Sequence, residues 1–213
     1  YLRDEDSLMK VFKVKAHKNF HVATDALVFY ASKSFASDTL SVEALSEFFK
    51  QASPLSKRVR GVSSGTIVYV PTPMSSITSN CILQCAGGGA IAQNAFLRYV
   101  GSSDSVKRCV ANSTTAIGTG MLSDLIRDTV RFKILGIKYT DADSNRRAMK
   151  VEQSAVYREM YPFPVKIQVM LLENLHDLPM GIASFLAYEP GPQKYFLQQG
   201  IVPAYARIQL YEE

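Results

Sequence analysis

Val165-Lys166-Ile167-Gln168-Val169-Met170-Leu171-Leu172 is the longest strand-like run in the chain, and the fold is read outward from it. Successive side chains of an extended segment alternate across it, so Val165, Ile167, Val169 and Leu171 form one purely apolar face. The other face opens with Lys166 and Gln168 and turns apolar at Met170 and Leu172. That pattern describes an internal strand, wet at its start and covered at its end. Met160-Tyr161-Pro162-Phe163-Pro164 leads into it as a stiff connection, because each proline fixes its own φ.

Other elements are shorter. Ser41 is placed to cap a helix over residues 42–50: Val42, Leu45, Phe48 and Phe49 share a face, Glu43 sits in the first turn and Lys50 in the last. Thr66-Ile67-Val68-Tyr69-Val70 reads as a strand ended by Pro71 and Pro73. Met121, Leu122, Leu125 and Ile126 form a helical stripe, and period-two alternation follows over 131–139 with a register break at Leu135-Gly136 that suggests a bulge. Val22–Tyr30 fits strand or helix. Gly181–Tyr188 is an apolar run, Gln193–Gln199 a short helix, and Ala204–Tyr211 a closing strand. Short, one-sided strands with irregular connections predict an α+β fold: a mostly antiparallel sheet with two or three packed helices. One compact domain over 1–213 is expected, with 1–8 a polar lead-in and 71–97 a flexible or interface segment.

The composition is that of a globular chain. Of 213 residues, 47% are hydrophobic and 20% charged, which supplies a core and excludes wholesale disorder. Three cysteines without dense spacing argue against a disulfide-stapled secreted domain and for a reducing compartment. No apolar run reaches the roughly 18 residues a membrane-spanning helix needs. The first residue is Tyr1 rather than Met, and no signal peptide is readable.

Chemistry-bearing motifs fail one by one. Gly87-Gly88-Gly89 has neither the spacing of a dinucleotide loop nor a following Gly-Lys-Ser/Thr, and reads as a turn where backbones approach closely. Cys81 and Cys85 lie four apart with no histidine nearby, so buried thiols are expected and no metal site is. Asp141, Asp143 and Asn145 alternate as in a calcium loop that Glu152 would close, but Arg146 stands where the turn glycine belongs. His176 and Asp177 are sequence neighbours without a placed nucleophile. Asn112-Ser113-Thr114 matches the N-glycan acceptor pattern, which the cysteine usage argues against. No catalytic residue, cofactor or metal is assigned, and the chain is read as non-enzymatic.

Positive charge is the remaining signal, at a net +5. Lys10, Lys13, Lys15 and Lys18 form an N-terminal basic ribbon, Lys57, Arg58 and Arg60 a loop cluster, and Arg146, Arg147 and Lys150 a turn cluster. These are the candidate contacts for nucleic acid or an anionic membrane. A lysine-bearing N-terminal strand, an uncharged small-residue segment and the run Val165–Leu172 followed by Glu173–Pro179 together resemble rhabdovirus-type matrix proteins of negative-strand RNA viruses. The resemblance implies a viral structural and assembly protein that self-associates, contacts RNA, nucleoprotein or an anionic membrane surface, and resides in the virion or host cytoplasm. A β-rich viral capsid subunit, and a small cytoplasmic hydrolase or transferase, are the alternatives.

Overall fold

The computed structural model describes residues 18–89, 91–140, 146–171 and 178–205, and for Arg146 the backbone alone. Seven α-helices and ten strands lie in the described residues. The chain divides into two compact units: residues 26–164, and residues 1–25 together with 165–213. The strand β1 (Lys18–Ser32) crosses from one to the other, and the chain crosses back after Pro164.

The larger unit follows β1 with β2 (Thr39–Ser41), α1 (Val42–Gln51) and β3 (Ile67–Val70). Next come α2 (Ser76–Asn80), which runs on as a π turn over Cys81–Cys85, then β4 (Leu97–Tyr99) and α3 (Ser103–Ala111). Then follow β5 (Ala116–Met121), α4 (Leu122–Leu125), β6 (Phe132–Ile134), β7 (Gly136–Thr140), β8 (Arg146–Met149) and α5 (Gln153–Tyr157). β3 pairs in parallel with both β4 and β5, with Val70 beside Tyr99 and Tyr69 beside Gly118. β1 runs antiparallel to β5 from Leu27 opposite Met121 to Ala31 opposite Ile117, and its end also pairs with β6. β2, β7 and β8 make a second sheet, parallel at the first junction and antiparallel at the second.

The parallel junctions have a local cause. Helices fill the connections after β3 and β4, and a helical crossover returns the chain to the edge where the previous strand began. Sheets covered by such helices are buried, and the strands show it: Val68, Val70, Ile117 and the β1 run Ala26–Ala31 are all buried. The expected mostly antiparallel sheet with two or three helices in one compact domain is therefore replaced by two mixed sheets and seven helices.

Local signals set α1 where the sequence places it. The Ser41 side chain accepts from the Ala44 amide at 3.1 Å, and Ala44, Leu45, Phe48 and Phe49 are buried. The buried Asn94 locks the following loop to this helix, donating to the Phe48 carbonyl at 2.9 Å and accepting from the Phe96 amide. Gly118 is demanded by packing: a Cβ there would lie 2.5 Å from the Tyr30 ring.

The smaller unit is described by the first part of β1, β9 (Pro164–Leu171), α6 (Leu178–Tyr188), α7 (Pro190–Gln198) and β10 (Val202–Pro203). Phe20, Leu171, Ala183 and Ala187 form its core, with Val169 and Met180 packed against them. Gln193, itself buried, fastens this unit through its amide: it donates to the Val22 and Leu186 carbonyls and accepts from the Tyr205 amide. β9 departs from its pattern: Ile167, on the apolar face, is exposed along with Lys166 and Gln168, Val165 and Val169 are half-buried, Leu171 is buried, and among the described residues the strand pairs with β1 alone. It is not the organising strand. That part belongs to β1, which pairs with β5, β6, β9 and β10.

Candidate functional site

Because β3, β4 and β5 run parallel, their C-terminal ends lie on one edge of the sheet, and each end leads into a helix. The N-termini of α2, α3 and α4 therefore share that edge. A helix N-terminus offers unpaired amides and partial positive charge, so an edge bearing several of them suits an anion or a strongly polar group. In open α/β sheets the C-terminal strand ends are also where ligands sit.

The three N-termini are not equivalent. Asp104 occupies the first turn of α3 and Asp124 that of α4, so each of those dipoles faces a carboxylate of its own. The first turn of α2 holds no acid, and no charged residue occurs anywhere from Pro71 to Leu97. Helical backbone continues unbroken from α2 through the π turn, two segments of five residues each.

The loop Pro71-Thr72-Pro73-Met74-Ser75 that starts α2 is built by hydroxyls. The Ser75 amide donates to the Thr72 carbonyl at 3.0 Å, and the Ser75 side chain accepts from the Thr78 amide at 3.1 Å. Ser75 Oγ also donates to Thr78 Oγ1, which donates onward to the Pro71 carbonyl at 3.1 Å. Each turn of the loop is thereby pinned to the buried Thr78. The amides of Ser76 and Ile77, the first two of the helix, find no acceptor among the described residues. Ser76 is exposed, Thr72 half-buried, and Met74 and Tyr99 stand out from the same edge.

Beneath this loop the packing is dry. Cys81 is fully buried, and loss of solvation pushes its thiol, which lies beside Thr119, up to about 12. Thr119 in turn donates to the Tyr69 carbonyl at 3.3 Å, tying β5 to the end of β3. Cys85 is raised for the same reason, and Cys109 is half-buried. None of the three cysteines is in a disulfide, and the described residues contain no cluster of His, Cys, Asp or Glu that could hold a metal.

The basic residues singled out in the sequence lie elsewhere. Lys10, Lys13 and Lys15 fall outside the described residues, as do the side chain of Arg146, the Asp141–Asn145 turn and His176-Asp177. Lys18 belongs to the smaller unit and holds its ammonium 5.1 Å from the Phe20 ring centre. Lys57, Arg58 and Arg60 are exposed around the 3₁₀ turn Leu55–Lys57, where Arg58 grips both oxygens of Glu47, at 3.0 and 2.5 Å. Arg147 sits on β8 opposite Tyr139, and Lys150 pairs with Glu152 at 3.2 Å. Thr72, Ser75 and Ser76 drew no attention in the sequence. The signal that could have found them is an apolar strand closing on proline, followed by a serine cap and a threonine three residues on.

No family model matches this chain, and no curated protein does. Solved structures do match. A chain from Clostridium perfringens, assigned as a phosphate ABC transporter substrate-binding protein and solved with bound phosphate, superposes with a TM-score of 0.72 at 13% identity, covering 95% of this chain and 76% of that one. An ABC-type phosphate transport receptor from Vibrio cholerae gives 0.68 at 17% identity, over 88% and 73%. PstS from Borrelia burgdorferi gives 0.64 at 14% identity, over 95% and 76%. At these identities the likeness is one of fold: the chain has the fold of ABC-transporter substrate-binding proteins.

That fold overturns the resemblance to rhabdovirus-type matrix proteins. The layout that suggested it was an order of elements, and parallel strands joined by helices satisfy the same order. The viral assembly role, the capsid-subunit and hydrolase or transferase alternatives, and the virion or host-cytoplasm location go with it. So do the expected partners, namely RNA or nucleoprotein, an anionic membrane, and a second copy of the chain. The chains sharing this fold are named as binding proteins and transport receptors, with which the non-enzymatic reading agrees. No helix of the described residues is long and apolar enough to cross a membrane.

Proposed function

We propose that the chain is a solute-binding protein that captures a small oxyanion of the phosphate class for an ABC-type transporter, with the loop 71–76 and the start of α2 as binding surface. One observation carries this reading: of three helix N-termini on one strand-end edge, that of α2 alone has no acid, and its Ser76 and Ile77 amides find no acceptor among the described residues. Neutral donors suffice for such a ligand, because aligned amides and hydroxyls stabilise the charge without the desolvation cost of a buried cation. The structural neighbour solved with bound phosphate supports the ligand class.

Titration calorimetry tests it. Inorganic phosphate added to the protein at low ionic strength is expected to give saturable binding. Ser76→Glu, which places a carboxylate on an exposed position of the α2 first turn, is expected to weaken that binding by about tenfold or more. Absence of binding across phosphate, sulfate and molybdate would sink the proposal, as would full affinity in Ser76→Glu.

A further inference from the structure

We propose that Tyr188 and Tyr205 form an oxidative crosslinking site, at which one carbon–carbon bond joins their phenol rings and staples the smaller unit. The ring centres lie 4.8 Å apart at an interplanar angle of 64°, an edge contact. Both side chains are open to an oxidant, at 51% and 60% exposure. Tyr195 is exposed to the same degree, but its ring meets Phe196 rather than a second phenol. The Tyr188 phenol beside it holds the Tyr205 phenol above its ordinary value, so the two hydroxyl groups lie close. Radical coupling of phenols joins the ring carbons that flank those hydroxyls.

The fold holds this pair from both sides. Tyr188 ends α6, and its ring also packs edge-on against the core residue Phe20, at 6.1 Å. Tyr205 is tied through its amide to the buried Gln193 at 3.1 Å, and the preceding Ala204 amide donates to the Val22 carbonyl. Two groups held in contact react as if at very high concentration. The unit also stands to gain from a staple. Its core is small, built on Phe20, Leu171, Ala183 and Ala187, and residues 1–25 and 165–213 contain no cysteine, so no disulfide can form within it. A bond from Tyr188 to Tyr205 closes the loop that carries α7 and β10, which restricts the unfolded chain as a disulfide would.

The oxidant is hydrogen peroxide acting through a haem peroxidase. Each phenol gives up one electron and its hydroxyl proton, and the two radicals couple between their flanking ring carbons. Each coupled carbon then passes its hydrogen to the phenol oxygen, which restores both aromatic rings. One peroxide takes up the two electrons and two protons and leaves as two waters. The test treats the folded chain with peroxide and peroxidase, isolates the monomer and digests it with trypsin. Peptides 167–194 and 195–207 are expected as one species, lighter than their sum by two hydrogens and carrying dityrosine fluorescence. That species is expected to vanish in Tyr188→Phe and in Tyr205→Phe, to persist in Tyr195→Phe, and to fall about tenfold or more when the unaltered chain is oxidised in urea. Absence of the joined peptide from the folded monomer overturns the proposal, and so does a joined peptide that survives in Tyr205→Phe or forms equally well in urea. The urea comparison uses the unaltered chain, so it decides the matter even where a variant folds poorly.

Discussion

The side chain of Tyr30 fills the space above Gly118, and this contact shows how closely β1 and β5 are fitted. A methyl group at Gly118 would lie 2.5 Å from Tyr30 Cζ and 2.9 Å from its Cε1 and hydroxyl, in a core where Tyr30 is 1% exposed. Gly118→Ala is expected to cost about 1–3 kcal/mol, the usual range for overpacking, and urea denaturation will read it as a lower midpoint with unchanged slope. The buried titratable groups make a second prediction. Cys81 and Cys85 are raised above the ordinary thiol value of 9.0, and Tyr30 and Tyr161 above the phenolic value, in every case first by loss of solvation. The folded chain thus keeps protons that the unfolded chain releases. Stability from these groups is complete below the unfolded values and is lost as pH rises through the raised ones. Melting temperature is expected to hold up to about pH 9 and fall between there and 12; a melting temperature that rises across that window contradicts the burial described.

Elements differ in how far their own residues specify them. α1 was legible because its signals are local: the Ser41 cap, Glu43 and Lys50 at the fitting ends, and Phe48 and Phe49 on the buried face. Ser41→Ala is expected to cost about 1 kcal/mol of stability, measured by thermal or urea melting. The break at Leu135-Gly136 was legible too, though its meaning was not. The Leu135 amide donates to the Phe29 carbonyl, and the next residue leaves for a different sheet beside β2, so the break separates two strands rather than bulging one. Gly181–Tyr188 reads only as an apolar run, because α6 is apolar on every side and carries no charge, which leaves helix and strand indistinguishable by period. β1 was ambiguous for the same reason: a strand buried on both faces shows no alternation. For α2 the prediction is functional. Ser75→Ala removes both the cap on the Thr78 amide and a hydroxyl of the loop, so it is expected to lower stability by about 1 kcal/mol and phosphate affinity with it. Thr72→Val, at a half-buried position whose carbonyl rather than side chain fastens the loop, is expected to lower affinity with little change in stability.

Across the whole molecule, the part that escaped the sequence is the pairing of distant strands. Whether β3, β4 and β5 run parallel is not written in any window, yet it alone brings three helix starts to one edge. The uncharged stretch 71–97 stood out as unusual in the sequence, and its chemistry became readable only once Val70 was found beside Tyr99 and Tyr69 beside Gly118. The basic clusters drew the eye instead, because charge is visible in composition and helix dipoles are not. Arg58 and Lys150 turn out to be paired with neighbouring carboxylates. The two sources of anion affinity lie on different segments, and backbone amide chemical shifts during a phosphate titration of the labelled protein decide between them. The Ser76 and Ile77 amides are expected to move most and to saturate together. Shifts confined to the Lys57–Arg60 or Arg147–Lys150 segments, or no saturable shift at Ser76 and Ile77, would contradict the account.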